Sequence, residues 1–219
     1  MTTNMKMADL INSAPCLLSV ADRLSIRFGF GEASVEECCK RDGKDPFTFL
    51  SICRTALSED YLPSETELCR IRVADVTAFL KNSHDSYQNS WLPGMEKAIG
   101  ETLVGRPEAQ QKVISEFFRK FKNELGVHFE LEEKKIFPSL EAIGKGKGSI
   151  RVFQHEHGEI EEKIQDLINL LLKYLVYEKQ DPKVTWLLSF LYAFKEDLII
   201  HSRIEDRLIL PLIGGKANE

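Results

Sequence analysis

The sequence predicts an all-α fold: an up-and-down antiparallel four-helix bundle preceded by a small N-terminal helical domain. Three observations predict it. From Val73 onward, four long stretches repeat apolar residues at steps of three and four, at about 73 to 99, 107 to 143, 149 to 178 and 183 to 213. The links between them are short. The second pair of stretches repeats the first at an offset of 73 positions, as two copies of one helical pair would.

Residues 1–58 read as short helices punctuated by turns. Ser34 and Glu37 form a capping box at the start of one, and Asp45 caps another that has Pro46 at its first position. The polar, proline-interrupted run SEDYLPSETEL leads through a linker assigned to 59–72. The bundle then occupies 73–213 and a tail 214–219. Its links are GETLVGR, GKGKG and KQDP, the last supplying Asp181 as a cap and Pro182 as a starter. Each amphipathic stripe needs a neighbour to cover it, and short links favour antiparallel neighbours.

Composition narrows the function. A net charge of -5 over 219 residues argues against a large phosphate-binding surface, so no nucleic-acid partner is expected. The first residues lack the apolar core of a signal peptide, and no run approaches a membrane span, so a cytoplasmic protein with no membrane partner is expected. All five cysteines fall in the first 69 residues without a C-x-x-C pair, which favours reduced thiols. Cys38 and Cys39 sit inside the helix begun by SVEE, where helical rotation predicts one buried and one exposed.

The repeat carries the chemistry. His128, Glu132 and Pro138 in HFELEEKKIFP have counterparts at His201, Glu205 and Pro211 in HSRIEDRLILP. Ile114, Phe117, Phe118, Phe121, Leu125 and Ile136 fall on Leu187, Phe190, Leu191, Phe194, Leu198 and Ile209, all apolar. In the first and third helices, Leu80, Tyr87 and Trp91 fall on Phe153, Ile160 and Ile164, and His84 falls on His157. Stepping along each stripe by three or four aims His128, Glu132, His201 and Glu205 inward, and His84 and His157 interrupt apolar stripes. His155 is turned about 200° from His157 and is expected to face solvent.

A single histidine on an apolar stripe is more often a hydrogen-bonded core residue than a ligand, and glutamate at i+4 from histidine is a common surface pair. Here four of the five histidines obey one shift, and each second-helix member has its glutamate. Polar groups buried without partners cost several kcal/mol, a cost that metal ions turn into binding. Four imidazoles and two carboxylates are too many for one structural zinc and too nitrogen-rich for calcium or magnesium. Two metals share the set naturally, with two histidines on each and Glu132 and Glu205 bridging, leaving positions open for small ligands or an oxo bridge. Two iron ions are the first choice, manganese the second, and zinc substitution is compatible with the donors.

Glu124 and Asp197 form another matched acidic pair, one turn before His128 and His201. They either orient ligands and relay protons or are ordinary solvated charges. Gly126, inside the second helix, costs about 1 kcal/mol relative to alanine unless a neighbour approaches closely there.

These residues resemble a known family. His84, HFELEE and its following FP, EHGE around His157, and HSRIED with its LP are similar to the haemerythrin-like di-iron four-helix bundle. They resemble most the iron-sulfur cluster repair di-iron proteins, whose sites use four histidines and two bridging glutamates. The likeness covers roughly residues 70 to 213 and implies His84, His128, Glu132, His157, His201 and Glu205 as metal ligands. The N-terminal segment looks like the small domain preceding the bundle in the repair proteins, but GFGE stands at 29–32 where they carry two cysteines and two glycines. The resemblance implies a non-haem di-iron protein that binds or reacts with oxygen, nitric oxide or peroxide, in stress response or iron-sulfur cluster repair, with an iron-sulfur protein as partner. The alternative is a gas- or iron-sensing module that signals through the N-terminal helices to a regulatory partner.

Overall fold

A computed structural model describes residues 1–143, 156–175 and 181–214. The chain is an all-α helical bundle, as its periodicity predicts. Among the described residues the one extended pairing is an isolated bridge between Lys6 and Ser34.

The N-terminal region holds α1 (Met7–Ser13), α2 (Leu17–Arg23), α3 (Val35–Arg41), α4 (Pro46–Leu57) and α5 (Glu65–Leu68). Ser34 and Glu37 satisfy each other's backbone N–H groups at the start of α3, and Asp45 accepts from the Thr48 N–H at the start of α4. Ser64 and Glu67 repeat the reciprocal cap on α5. Helices this short gain little from their own hydrogen bonds and depend on burying Met7, Leu10, Leu17, Val20, Phe49 and Ile52. Cys38 and Cys39 are both fully buried, which corrects the expectation that rotation exposes one of them. A helix of seven residues packed against α4 is covered on more than one face.

Four longer stretches follow. The first is α6 (Val73–Ser86), a π-helical turn at Tyr87–Trp91 and α7 (Leu92–Leu103). The second is α8 (Glu108–Leu131), a π turn at Glu132–Ile136 and α9 (Phe137–Ile143). Next come α10 (Glu156–Tyr174), then α11 (Pro182–Ile204), a π turn at Glu205–Ile209 and α12 (Leu210–Gly214). Gly105, at φ +76°, takes the left-handed conformation that ends α7. Asp181 accepts from the Lys183 N–H, and Pro182 opens α11. The link GKGKG, Phe153 and His155 lie outside the described residues.

The helices gather into two compact units. One takes Met1–Ser83 with α9, the residues from Ile200 onward and α12. Within it, Arg203 donates to the Ala56 carbonyl at 3.2 Å and pairs with Glu59 at 2.9 Å, and Arg207 donates to the Tyr61 carbonyl at 2.7 Å. The other unit takes His84–Glu132 with α10 and α11 as far as Ile199. Its core contains the matched pairs Ile114 and Leu187, Phe118 and Leu191, Phe121 and Phe194, and Leu125 and Leu198. Each such side chain contributes about 1.5–3 kcal/mol through burial.

Candidate metal centre

Glu132 is the centre of the better-defined half of the site. Its Oε1 lies 2.9 Å from His128 Nε2, one helical turn back on α8, and its Oε2 lies 3.2 Å from His84 Nε2 on α6. One carboxylate thus faces an imidazole with each of its oxygens. His84 and Glu132 are at most 1% exposed and His128 is 6% exposed. The His84 ring stacks on Phe129, with centroids 4.1 Å apart and planes 16° apart.

His201 and Glu205 repeat the i, i+4 pairing in the other unit, with Nε2 and Oε1 3.5 Å apart and both side chains buried. Each of these buried pairs, His84 with Glu132 and His201 with Glu205, offers imidazole and carboxylate ligand atoms able to hold a metal ion. Buried charges persist only when paired or coordinated. The donors are imidazole nitrogens and carboxylate oxygens with no thiolate, ligand types that divalent transition metals accept. His157 stands in the first turn of α10, but its side chain lies outside the described residues, as does His155 entirely.

The acidic pair divides. Asp197 is buried and accepts a hydrogen bond from the Tyr87 hydroxyl at 2.6 Å. Glu124 is exposed and pairs with Lys163 at 2.7 Å, on the rim of a cleft of about 390 Å³ whose wall includes His128, Val127 and Leu131. Nothing stands within 4 Å of where a Cβ on Gly126 would be, so close packing does not explain that glycine.

The π turns are not evident from the apolar periodicity of the sequence. Glu132 and Glu205 each open one, at 132–136 and 205–209, the same repeat register. The Leu210 N–H bonds to the Glu205 carbonyl, five residues back, and the Leu92 N–H bonds to the Tyr87 carbonyl in the same way. Single π turns inside α-helices are rare and concentrate at functional sites.

Fold and site together define a helical bundle with buried histidine and glutamate side chains of the kind that hold a metal ion. The family model for the Hemerythrin HHE cation binding domain matches residues 95–213, more than half of the chain, and the protein belongs to that family. No curated protein matches the chain. Among the described residues, no helix is long and apolar enough to cross a membrane.

Proposed function

We propose that the protein is a non-haem di-iron protein whose centre is held by His84, His128, His157 and His201, with Glu132 and Glu205 bridging. The observation that carries this reading is Glu132, buried and set between two imidazoles, one at each carboxylate oxygen. The 73-residue repeat supplies the second half of the ligand set. Iron in such a site supplies redox chemistry toward oxygen, nitric oxide or peroxide. The chain's own residues hold the imidazoles in orientation: Phe129 stacks on His84, and the cleft beside His128 is wide enough for a diatomic molecule or peroxide. The role that fits is cytoplasmic stress defence or iron-sulfur cluster repair, with an iron-sulfur protein as partner.

Metal quantification and absorption spectroscopy on anaerobically prepared protein test this. Two irons per chain and a near-ultraviolet charge-transfer band are expected, with loss of one or both metals in His201→Ala. A bundle isolated metal-free from iron-replete cells would count heavily against it.

One observation favours a second reading, a gas- or iron-sensing module. Arg203 and Arg207 flank Glu205 and donate to the carbonyls of Ala56 and Tyr61, which ties the His201 and Glu205 segment to the N-terminal region. Cluster repair at full rate in the Arg203→Ala, Arg207→Ala chain would exclude an obligatory signal through these bonds.

A further inference from the structure

We propose that Tyr87, Trp91 and Trp186 form a one-electron relay between His84 and the protein surface. The inference takes its purpose from the di-iron reading above, but the relay's existence is tested apart from it.

The path starts at the His84 ring, which stacks on Phe129. Phe129 in turn stacks on Tyr87, with centroids 5.6 Å apart and planes 21° apart. Phe194 stands against both Tyr87, at 5.4 Å, and Trp91, at 5.7 Å. Phe190 then stacks on Trp91 at 5.3 Å and meets Trp186 at 5.2 Å. Trp186 is 58% exposed, so the path opens to solvent. Phe190 seats over Gly94, where a Cβ would come within 3.2 Å of its ring.

Packing alone accounts for a cluster of phenylalanines, but three features here go beyond it. Phenol and indole side chains give up an electron at potentials reachable by oxygen chemistry, and both tryptophans of the chain lie on this one path. Tyr87 is fully buried, where phenylalanine would fill the space without a hydroxyl to satisfy. Its hydroxyl donates to Asp197 Oδ2 at 2.6 Å, so a proton acceptor is already in place. A tyrosine loses an electron far more readily when its proton has somewhere to go.

A one-electron oxidant at the His84 end of the path, which bound iron would supply on reacting with oxygen or peroxide, would take one electron from Tyr87 while the phenolic proton passes to Asp197 Oδ2. The products are a neutral phenoxyl at Tyr87 and a carboxylic acid at Asp197. One electron from Trp91 then reduces the phenoxyl, and the proton returns from Asp197. Trp186 refills Trp91, and a thiolate or ascorbate-class donor in solution refills Trp186. The net transfer would be one electron from that donor to the oxidant at the His84 end, which is reduced by one electron as the donor is oxidised by one. Such a relay discharges an oxidised centre when no substrate is present.

The test uses the full-length chain without metal and a photo-oxidised ruthenium polypyridyl complex that withdraws one electron at the surface, with electron paramagnetic resonance as the readout. Exposed Tyr174 and Tyr192 give a tyrosyl signal without a buried hydrogen bond, whereas Tyr87 gives a component shifted by its bond to protonated Asp197. That shifted component is expected in the parent chain, absent in Tyr87→Phe, and reduced several-fold in Trp186→Phe. Trp186 is exposed, so its replacement leaves the fold intact. No shifted component in the parent chain, or one unchanged in Tyr87→Phe or in Trp186→Phe, overturns the relay while leaving the metal reading standing. Failure of the metal reading shows separately, as a chain that takes up no iron.

Discussion

Glu132 opens a π turn and Pro138, six residues later, stands two past its end. Glu205 and Pro211 stand in the same relation, and Pro93 follows the turn Tyr87–Trp91 by the same two residues. Proline has no N–H to donate to the carbonyl four residues back, and its ring collides with that carbonyl. Those carbonyls belong to Asn89, Lys134 and Arg207, all inside the π turns, and the wider turn carries them clear. The fourth repeat position is the control: Asp166 stands where proline would, and 160–164 is ordinary α-helix.

Pro138→Ala and Pro211→Ala follow directly. Each is expected to let its turn tighten to regular α-helix and to rotate the proposed ligand glutamate against the rest of its helix. Metal affinity is expected to fall about 10- to 100-fold, as it does when groups that orient ligands are lost, although no donor atom is removed. Helicity by circular dichroism should hold or rise. Metal titration showing affinity unchanged in both variants would separate the prolines from the site.

Glu132→Gln and Glu124→Gln make a matched contrast on one helical stretch. An amide in place of the Glu132 carboxylate keeps the volume but not the charge between His84 and His128, so loss of bound metal is expected. The Glu124 pair with Lys163 is on the surface, and such pairs are worth about 0–1 kcal/mol. Glu124→Gln should keep its metal and shift the urea midpoint little. Equal metal loss in the two variants would contradict the placement.

Much of the bundle and its site is legible in the sequence because a helical stripe fixes direction. Stepping by three and four from Ile114 reaches Phe118, Phe121, Leu125, His128 and Glu132, and all of them are buried. The same stepping from Leu187 reaches His201 and Glu205. Equal spacing does not distinguish Glu124 from Asp197, because burial there depends on what stands opposite: Tyr87 meets Asp197, while Lys163 meets Glu124 at the surface. Cys38 and Cys39 depart from expectation for a related reason. Rotation about one helix says nothing of how many neighbours that helix has. The π turns do have a signal in Pro93, Pro138 and Pro211, but the repeat alone makes the last two mere landmarks.

The cysteines divide by accessibility. Cys16 and Cys69 are exposed, while Cys38, Cys39 and Cys53 are buried. Burial pushes the Cys39 thiol up to about 12 and raises those of Cys38 and Cys53, so little reactive thiolate forms near neutral pH. A disulfide-exchange reagent at pH 8 should titrate two thiols quickly in the native chain and five after denaturation. Fast reaction of Cys38 or Cys39 would show that the helix carrying them opens readily.

Asp42 gives the N-terminal region a pH-dependent contribution to its stability. Arg41 donates to its carboxylate at 2.8 Å, and Arg27 donates through both its side chain, at 2.6 Å, and its backbone N–H, at 3.0 Å. The Arg41 bond first, then Arg27, hold the Asp42 carboxyl down at about 2, against 3.8 for an ordinary aspartate. A carboxyl lowered by folding stabilises the native state fully above its unfolded value and loses that contribution as pH falls through the folded one. The contribution is therefore complete at neutral pH and fades between about 4 and 2. Arg27 is 70% exposed, so solvent screens part of the attraction and the effect is modest. Urea melts of the parent chain and Asp42→Asn should differ most at pH 7 and converge as pH drops through that window. A gap that stays constant down to pH 2 would show that the substitution acts through packing and not through the charge.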